Sequence, residues 1–599
     1  MKINRCWSAD FETTTDENDC RVWAYSLCNI ENPEEFVYGN SLEDFFEWCI
    51  ESKENYTLYF FNLKFDASFM ISWMLERGFE YVTDKKDRKD LTFTTLITDM
   101  GQFYSLEIYF EVKGKRINKV TILDALKIFP NTSVEQLAKD FGLPISKLKI
   151  DYDAYRPVGY ELTQPEIDYI RNDVEIVARC LKAMFDRGLN KMTIASDAMK
   201  NFKDHFDNFY KYFPILSEDI DSDIRKSYRG GFTYASDKYT EKEIGSGVVL
   251  DVNSLYPSCM KKSMPYGKPR MFEGEYKYDA VYPLYIITFT CKFEIKPDKI
   301  PSIQLRNNLS FIPNQYLKSS NDEHVTLTLT SIDFELFKDQ YRFWDVTYHG
   351  GWKFKETEGI FDNYIDYWMD EKIKAGKEGN KTARAIAKRM LNSLYGKFGS
   401  STKAGQKSVY LDENSVLCFE DLPVESKKPV YIAVACFITA YGRDKTIRTS
   451  QAIRDYTTKK YGVDKYYYSD TDSIHAGLNN EDIEELKDLL DIDDYRLGAW
   501  AKEAEFTRAM YIRQKCYIEE IDGKVSVTVA GLPKYLAPII NFDNFKRGFS
   551  TGGMTYKDLV ELAKKNGATD EEIEKLHHKF DYHYVKGGVI LKDTDFTIN

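Results

Sequence analysis

Long apolar runs are missing from this sequence of 599 residues. No window approaches the ~20 consecutive apolar residues that a membrane-spanning helix needs, and the N-terminal MKINRCWSADFE has no apolar signal core. The ten cysteines include no Cys-x-x-Cys pair and no histidine partner at the spacing of a zinc site. We therefore expect a soluble, intracellular protein with reduced, mostly buried thiols.

Internal repeats, low-complexity tracts and an excess of positive charge are missing as well. With 82 Lys and Arg against 95 Asp and Glu, the net charge is −13, so any nucleic-acid site must be a local basic patch. Apolar residues make up 43% and aromatic residues 15% of the chain, which is too much apolar material for a disordered protein. A chain of this length is expected to fold as two or more domains.

Hydrophobic periodicity in the first third predicts a mixed α/β unit. Strand-like RCWSADFETTT, TLYFFNLKF and KVTILDAL alternate there with amphipathic SLEDFFEWCIES and SVEQLAKDFG. A break is expected near 188–192.

The rest of the chain divides into regions of different pattern. Residues 263–360 predict an insertion of short strands, and 364–396 predict a helical hairpin. Strand character returns over 403–430 and is followed by a long helix. Near the C-terminus, TYKDLVELAKKNGATDEEIEKLHHKF predicts two short helices before a final strand.

Two acidic residues lie in the first predicted strand, where a core strand should be apolar. Asp10 and Glu12 stand at i and i+2 of SADFETTT, so both side chains point to one face. Their repulsion is tolerable when a divalent cation lies between them, and carboxylate oxygens are ligands that Mg²⁺ accepts. The alternative is that these acids are solvated surface groups.

Further polar residues complete a possible two-metal site. Asp66 follows in NLKFD and Asp173 in YIRND, where Tyr169 lies one helical turn earlier on the same face. Four carboxylates can hold two ions that activate water and stabilise the leaving oxygen in phosphodiester hydrolysis. Tyr169 and Lys147 are expected to orient the water and to support the charge of the transition state.

A second acidic set combines two distant segments. Asp470 and Asp472 in YYYSDTDSIH lie either on one strand face or astride a tight hairpin turn. Asp251, at the end of the strand-like VVLD, could meet them, and the set would suit two Mg²⁺ ions that bridge a nucleoside triphosphate and a 3′-hydroxyl. The alternative is an ordinary turn, because Asp and Thr both favour turns.

The predicted helix IAKRMLNSLYGKFG has a polar stripe. Arg384, Lys388, Asn392 and Tyr395 follow at helical spacing, and such a stripe can hold triphosphate oxygens and stack a base pair on the ring. The alternative is a solvated helix face. Between 364 and 400 there are eight Lys and Arg against four Asp and Glu, a local net charge of +4 that favours a phosphate partner.

The motifs DFETT, NLKFD, YIRND, YRGG, DVNSLYP, KRMLNSLYGK, DTDS and KCY occur in this order. The order resembles that of family B DNA polymerases, in particular the protein-primed branch of phi-twenty-nine-like phages, and the resemblance covers nearly the whole chain. It implies an α/β multidomain protein with a ribonuclease-H-like 3′–5′ exonuclease domain and a right-hand polymerase of palm, fingers and thumb. A nuclease with a degenerate polymerase half and a non-catalytic DNA-binding replication factor are the rival hypotheses.

The resemblance also implies domain boundaries. They are exonuclease 1–190, first part of the palm 191–262, first protein-priming insertion 263–360, fingers 361–402, second insertion 403–430, second part of the palm 431–545 and thumb 546–599. The second insertion would provide processivity and strand displacement.

Roles for individual residues follow from the same resemblance. Exonuclease metals would be held by Asp10, Glu12, Asp66 and Asp173, with Tyr169 and Lys147 assisting. Polymerase metals would be held chiefly by Asp251 and Asp472, with Asp470 and Val252 as further ligands. The incoming nucleotide would contact Tyr256, Arg384, Lys388, Asn392 and Tyr395. DNA would contact Asn62, Phe65, Phe69, Tyr228, Gly230, Gly231, Lys515 and Tyr517.

Cofactors, partners and a cellular location are implied as well. The resemblance implies two Mg²⁺ ions per active site, replaceable by Mn²⁺, and a monomer that binds primer-template DNA, single-stranded DNA, dNTPs and a terminal protein in the host cytoplasm.

The sequence also departs from the family pattern. Phe61 stands where the best-known member has histidine, and Ala125 where the family favours serine or threonine, so two single-strand contacts are in question. Residues 551–586 form a helical insertion in place of a shorter Pro-rich loop.

Overall fold

An eight-stranded mixed sheet is the first element of the computed structural model, which describes residues 5–51, 55–113, 116–146, 148–151, 154–305 and 315–599. Its strands are β1 (Cys6–Thr13), β2 (Val22–Asn29), β3 (Phe36–Gly39), β4 (Thr57–Phe60), β5 (Glu80–Tyr81), β6 (Thr92–Ile97), β7 (Phe103–Lys113) and β8 (Arg116–Asp124). They are ordered β3-β2-β1-β4-β8-β7-β6-β5, and β4 is parallel to both of its neighbours.

Helices cover both faces of this sheet. They are α1 (Leu42–Glu51), α2 (Leu63–Glu76), α3 (Val134–Phe141) and α4 (Gln164–Phe185). In α1, the buried residues Leu42, Phe45, Phe46 and Cys49 follow the spacing of an amphipathic helix, as the sequence predicts. Phe45 packs edge-on against Phe11 of β1, with ring centroids 4.9 Å apart.

The apolar character of TLYFFNLKF suggests a single strand, but the structure has a short strand and the start of a helix. Strand β4 ends at Phe60, and Asn62 adopts a left-handed backbone conformation, with φ 70°, before α2 begins at Leu63. The Asp124 carboxylate accepts hydrogen bonds from the backbone N–H groups of Asn62 and Leu63, which satisfies donors that the first turn of a helix leaves free. Asp66 therefore lies on a helix.

A second sheet forms the centre of the remaining chain. Its strands are β9 (Thr233–Ala235), β10 (Glu243–Ile244), β11 (Gly247–Val252), β20 (Tyr466–Asp470), β21 (Ser473–Ala476), β22 (Trp500–Arg513), β23 (Cys516–Ile521) and β24 (Lys524–Val529). They are ordered β24-β23-β22-β11-β21-β20-β9, and β10 pairs with β22. Between the two sheets lie α5 (Ile194–Asp204), α6 (Phe209–Tyr212) and α7 (Glu218–Arg225) along the chain.

The region 263–360 is a separate sheet of long strands, where short strands were expected. It consists of β12 (Met264–Phe272), β13 (Leu284–Ile295), β14 (Val325–Thr330), α9 (Ser331–Gln340) and β15 (Tyr341–Thr357), and follows α8 (Leu255–Met260). Strand β15 has 17 residues, and register shifts in its pairing with β13 let the two strands twist together over this length.

The predicted helical hairpin and the pattern after it are present. They comprise α10 (Asp362–Lys377), α11 (Lys381–Phe398), β16 (Lys403–Ala404), β17 (Lys407–Leu411), β18 (Leu417–Asp421), β19 (Glu425–Ser426), α12 (Ile432–Tyr461) and, after β21, α13 (Asn480–Leu490). Residues 432–443 of α12 are all buried, so this helix forms the centre of the largest apolar core.

The C-terminal region has a smaller core of its own. It contains α14 (Tyr556–Lys565), α15 (Asp570–Glu574), β25 (Lys579–Val585) and β26 (Gly588–Thr594), so the two predicted short helices are present. All ten cysteines are free and eight are buried, as expected. None of the helices described for this chain has the length and hydropathy of a membrane span.

Candidate active sites

The first acidic cluster lies where α4 packs on β1. Carboxylate oxygens of Asp10, Glu12 and Asp173 all lie within 4.8 Å of one another, and Glu12 and Asp173 are buried. Asp10 and Glu12 share one face of β1, as their spacing predicts. Tyr169, one turn before Asp173 on α4, is also buried. Lys147, the sixth residue expected at this site, lies outside the described residues.

Asp66 adds a fourth carboxylate beside this cluster. It is buried on α2, and its Oδ1 atom has no hydrogen-bond partner among the described residues. Burial, and then the neighbouring charges of Asp10 and Glu12, raise the pKa of Asp66 well above its usual range. Buried carboxylates so close together are unfavourable by themselves, and oxygen-rich, negatively charged donor sets of this kind fit a hard divalent cation.

A cavity of about 490 Å³ opens beside the cluster. Asp10, Asp173, Phe61 and Asn62 line it, together with the first turn of α3. A volume of this size accommodates a nucleotide. The acidic cluster therefore has an adjoining space for a substrate.

The three residues expected to hold a single strand differ in exposure. Asn62 is exposed and Phe65 is half-buried, whereas Phe69 is fully buried. A Cβ atom on Gly588 of β26 would lie 2.4 Å from the Phe69 ring, so the C-terminal hairpin covers this side chain. The Phe69 ring is therefore not open to a DNA strand in this structure. Ala125 is fully buried and offers no hydroxyl.

Asp124 was not singled out from the sequence. Its Oδ1 atom accepts hydrogen bonds from the backbone of Asn62, Leu63 and Leu126, at 3.1, 3.4 and 3.0 Å. It therefore fixes the position of Asn62 at the cavity. The available signal was an acid at the end of a predicted buried strand, in LDALK.

The second acidic cluster forms at the junction of three strands. Asp251 at the end of β11 lies opposite Ser473 of β21, and the backbone N–H of Val252 donates to the Asp472 carbonyl at 2.8 Å. Asp470 ends β20, and Thr471 has a φ of 60°. Of the two arrangements left open by the sequence, the structure has the acids astride a tight turn.

The three carboxylates have different surroundings. Burial raises the pKa of Asp251 to about 7, and the Asp472 charge adds to the rise. Burial also raises the pKa of Asp472, with a contribution from Asp470. Asp470 is instead paired with the Lys515 ammonium, at 2.9 Å from both carboxylate oxygens. Asp251 and Asp472 are thus the less compensated pair, and their oxygen donors also fit a divalent cation.

Glu503 is a fourth acid near this turn, and the sequence pattern did not predict it. It lies at the bulge where β22 pairs with β11, and its charge raises the pKa of both Asp251 and Asp472. Its side chain is exposed. Nothing in the local sequence separates it from other acids of β22, because a bulge is not visible in residue spacing.

Two aromatic rings expected at the nucleotide meet beside the turn. The rings of Tyr256 and Tyr395 have centroids 4.3 Å apart at an angle of 39°. A Cβ atom on Gly231 would lie 2.6 Å from Thr471 and 2.9 Å from the Tyr256 hydroxyl. Only glycine allows this close approach, so the YRGG loop packs directly on the acidic turn.

The remaining residues of the YRGG and KCY motifs are also near the turn. Tyr228 packs against Gly399 at the end of α11. The Gly230 carbonyl accepts a hydrogen bond from Arg443 at 2.7 Å. Tyr517 is half-buried, with its ring centroid 4.9 Å from that of Tyr468.

The polar stripe on α11 faces solvent. Arg384, Lys388 and Asn392 are exposed, and Tyr395 is half-buried, while Ile386, Met390, Leu391 and Leu394 on the other face are buried. Lys388 is near enough to Asp251 for its charge to lower the pKa of that acid. The polar stripe of α11 and the acidic turn are therefore close to each other.

Lys372 of α10 joins this stripe and was not singled out from the sequence. Burial lowers its pKa, and the charges of Arg384 and Lys388 lower it further. A cluster of three cations so close together is unfavourable without an anion. The sequence signal was a lysine on the other arm of the predicted helical hairpin.

Known sequences resemble this chain over almost its entire length. The family model described as DNA polymerase type B, organellar and viral, matches residues 49–158 and 149–485. The DNA polymerase of Bacillus phage M2 is 42% identical over 615 aligned residues, which cover 99% of each chain. The DNA polymerase of Streptococcus phage Cp-1 is 32% identical over 91% of this chain and 94% of its own.

Solved structures give the same result. Phi29 DNA polymerase complexed with primer-template DNA and incoming nucleotide substrates has a TM-score of 0.88 and 40% identity, with 100% of both chains covered. The expected division into an exonuclease domain and a palm, fingers and thumb is confirmed by this match. Polymerases of this family depend on divalent metal ions. The chain therefore belongs to the type B DNA polymerases of viruses and organelles, and it is a DNA-directed DNA polymerase with an exonuclease domain.

Proposed function

We propose that this polymerase extends a primer at the cluster of Asp251 and Asp472, and removes misincorporated nucleotides at the separate cluster of Asp10, Glu12, Asp66 and Asp173. The observation that carries the proposal is the presence of two acidic clusters on two different sheets, each next to groups suited to a nucleotide. The domain boundaries 1–190, 191–262, 263–360, 361–402, 403–430, 431–545 and 546–599 are proposed on the same basis.

At the polymerase site, Asp251 and Asp472, with the Val252 carbonyl and Asp470 in support, would hold Mg²⁺ or Mn²⁺. When bound, two such ions lower the pKa of the primer hydroxyl and neutralise charge on the triphosphate. Lys372, Lys388 and Arg384 supply the fixed positive charge that binds the triphosphate oxygens.

The other residues at this site position the nucleotide and the primer. The Tyr256 and Tyr395 rings, which meet at an angle of 39°, would contact the nascent base pair and the sugar, and the bulk of Tyr256 would reject a 2′-hydroxyl. Asn392, on the polar stripe of α11, is proposed to contact the incoming nucleotide. Lys515 and Tyr517 are proposed to contact the primer strand, which requires Lys515 to exchange its Asp470 partner for a phosphate.

At the exonuclease site, Asp10, Glu12, Asp66 and Asp173 would hold the metal ions. When bound, they supply a hydroxide nucleophile and stabilise the leaving 3′-oxygen. Asn62 and Phe65 would bind the unpaired 3′ end, with Tyr169 and Lys147 orienting water. Tyr228, Gly230 and Gly231 are proposed to link the two activities, because the YRGG loop packs on the acidic turn between Asp470 and Asp472.

The genome and partners are proposed from the relatives, which are polymerases of phages. We propose that the chain acts as a monomer in the host cytoplasm and copies a phage genome on primer-template DNA. The insertions 263–360 and 403–430 are proposed to bind a terminal protein as primer and to displace the non-template strand.

Primer extension tests the assignment of the two sites. We expect Asp472→Ala to abolish extension of a primed template with Mg²⁺ and dNTPs while single-strand degradation continues. Asp10→Ala is expected to have the opposite effect. Normal extension by Asp472→Ala, or unchanged degradation by Asp10→Ala, would contradict the assignment, and loss of both activities in each variant would show that the two sites are not separate.

A further inference from the structure

The C-terminal hairpin of β25 and β26 contacts the exonuclease sheet beside its cavity. Gly588 covers Phe69, and Tyr582 of β25 lies over the start of α2. The charges of Asp66 and Asp124 both act on Tyr582, which places this ring close to the acidic cluster. The first strand of the hairpin lies within the region 551–586, where a helical insertion was expected and where the structure has α14, α15 and then β25.

Tyr582 contacts three residues at the start of α2, one of which, Asn62, lines the cavity. The Asn62 Nδ2 atom donates a hydrogen bond to the Tyr582 hydroxyl at 3.0 Å. The Lys64 ammonium lies 4.6 Å from the centroid of the Tyr582 ring. The Phe65 and Tyr582 ring centroids are 6.2 Å apart at an angle of 40°. An exposed amide, a cation and two aromatic rings therefore converge at one place.

This combination of groups is suited to an unpaired nucleotide. A base held between two rings needs a centroid separation of roughly 7 Å, twice the ~3.4 Å rise of a nucleic-acid strand. For a base to enter, the present 6.2 Å separation would have to increase slightly and the two rings, now at 40° to each other, would have to become more nearly parallel. The Lys64 ammonium, which lies over the Tyr582 ring, would move to the adjoining phosphate when a base stacks there, and stacking with a nearby cation is how proteins bind single strands without sequence preference.

Salt bridges hold the C-terminal region to the exonuclease side of the cavity. Lys575 lies 3.3 Å from both carboxylate oxygens of Glu135, a residue that lines the cavity. The backbone of Lys586 pairs with Val416, and the Tyr584 ring centroid lies 5.3 Å from that of Phe419. The chain is thus held before β25 and at the turn of the hairpin, on either side of Tyr582.

We propose that Tyr582 is a further single-strand-binding residue of the exonuclease site, which stacks on an unpaired base near the 3′ end opposite Phe65. Asn62, which the Tyr582 hydroxyl holds in the absence of DNA, would turn to the strand when the base enters. This inference rests on the proposed exonuclease function and assigns a role to the C-terminal hairpin within it. Tyr582 positions the substrate and takes no part in bond cleavage.

Steady-state degradation of a single-stranded oligothymidylate tests the role of the ring. Tyr582→Leu keeps the apolar packing of the hairpin but removes the aromatic face, and we expect it to raise KM about tenfold while kcat changes little. Tyr582→Phe keeps the ring and should leave KM within about twofold of wild type. Tyr556→Ala, an exposed tyrosine on α14, is the matched control and should leave both constants unchanged.

A fluorescence measurement gives a second readout, independent of turnover. In the Asp10→Ala background, binding of an oligonucleotide with 2-aminopurine at its 3′ end should quench the fluorescence, because the base stacks. Tyr582→Leu should weaken this quenching and Tyr582→Phe should retain it. Extension of a fully paired primer should stay normal in both variants, which shows that the fold is intact.

The outcomes separate this inference from the proposed function. If the wild type degrades no single strand, the exonuclease assignment fails. If the wild type degrades it and Tyr582→Leu has the same KM and the same quenching, only the role of Tyr582 is overturned. A loss in Tyr582→Leu that Tyr582→Phe shares equally would also overturn it, because the ring would then not be the binding group.

Discussion

Arg443 and Asp333 form a buried, two-pronged ion pair between α12 and α9. Their atoms pair at 2.9 Å from Nε to Oδ1 and 2.7 Å from Nη2 to Oδ2, and the side chains are 5% and 9% exposed. The remaining Nη1 group of Arg443 donates to the carbonyls of Arg229 and Gly230. The pair therefore connects the region 263–360 to the YRGG loop, which packs on the acidic turn at Thr471.

Removing one partner of this pair should be strongly destabilising. We expect Asp333→Asn to lower the free energy of unfolding by about 3–5 kcal/mol, because it leaves the Arg443 charge buried without its counter-charge. Urea unfolding checks this. Glu335→Gln, which removes an exposed partner of Lys338 on the same helix, is the control and should have no measurable effect. Equal effects of the two substitutions would contradict the assigned role of burial.

Two adjacent glycines offer a test of the contact between the YRGG loop and the turn. Gly231→Ala would place a methyl group 2.6 Å from Thr471 and 2.9 Å from the Tyr256 hydroxyl, so the turn must shift. We expect primer extension to fall by about tenfold or more, since displacements near 1 Å at a reacting centre are costly, while single-strand degradation continues. Gly230→Ala meets no atom within 4 Å and should extend primers normally. Equal activity of the two variants would contradict the packing argument.

Both acidic clusters could be predicted from residue type and order, because acids within apolar strands are rare. The spacing of Asp10 and Glu12 correctly predicts one face of a strand. The spacing of Asp470 and Asp472 did not decide between a strand and a turn, because Thr471 adopts its left-handed conformation only in the folded hairpin. Residue spacing thus gives the candidates, whereas the backbone decides how they meet.

Groups that join the sites through tertiary contacts could not be predicted. Asp124 and Glu503 act through strand ends and bulges that bring distant segments together. Phe69 was expected on the DNA surface, but the β-hairpin at the other end of the chain buries it. Tyr582, which contacts Asn62 across 520 residues of sequence separation, has no local signal at all.

Lys372 is expected to bind the triphosphate of the incoming nucleotide. It is half-buried, and burial lowers its pKa, with further lowering by the charges of Arg384 and Lys388. Lys372→Met should raise KM for dNTPs by about tenfold with a smaller change in kcat, because it removes one charge-assisted contact to the triphosphate. Lys374→Met, an exposed neighbour on α10, should leave KM unchanged. If both variants have the wild-type KM, Lys372 is not a phosphate ligand.

The raised pKa of Asp251 makes the stability of the metal-free enzyme depend on pH. Because its pKa rises from 3.8 to about 7 on folding, the folded state holds the proton more tightly. The charge of Asp251 therefore costs no stability at low pH, and the cost is complete once the pH exceeds about 7. We expect Asp251→Asn to be more stable to urea than wild type by about 1 kcal/mol after solvent screening, at about pH 8 in the presence of EDTA, and to lose this advantage progressively as the pH falls from about 7 towards 3.8. Adding Mg²⁺ at about pH 8 should stabilise the wild type more than the variant.

The control for this prediction is Asp207→Asn, which neutralises an exposed turn residue. A difference between Asp251→Asn and wild type that does not change with pH would show that Asp251 is not held in an unfavourable charged state.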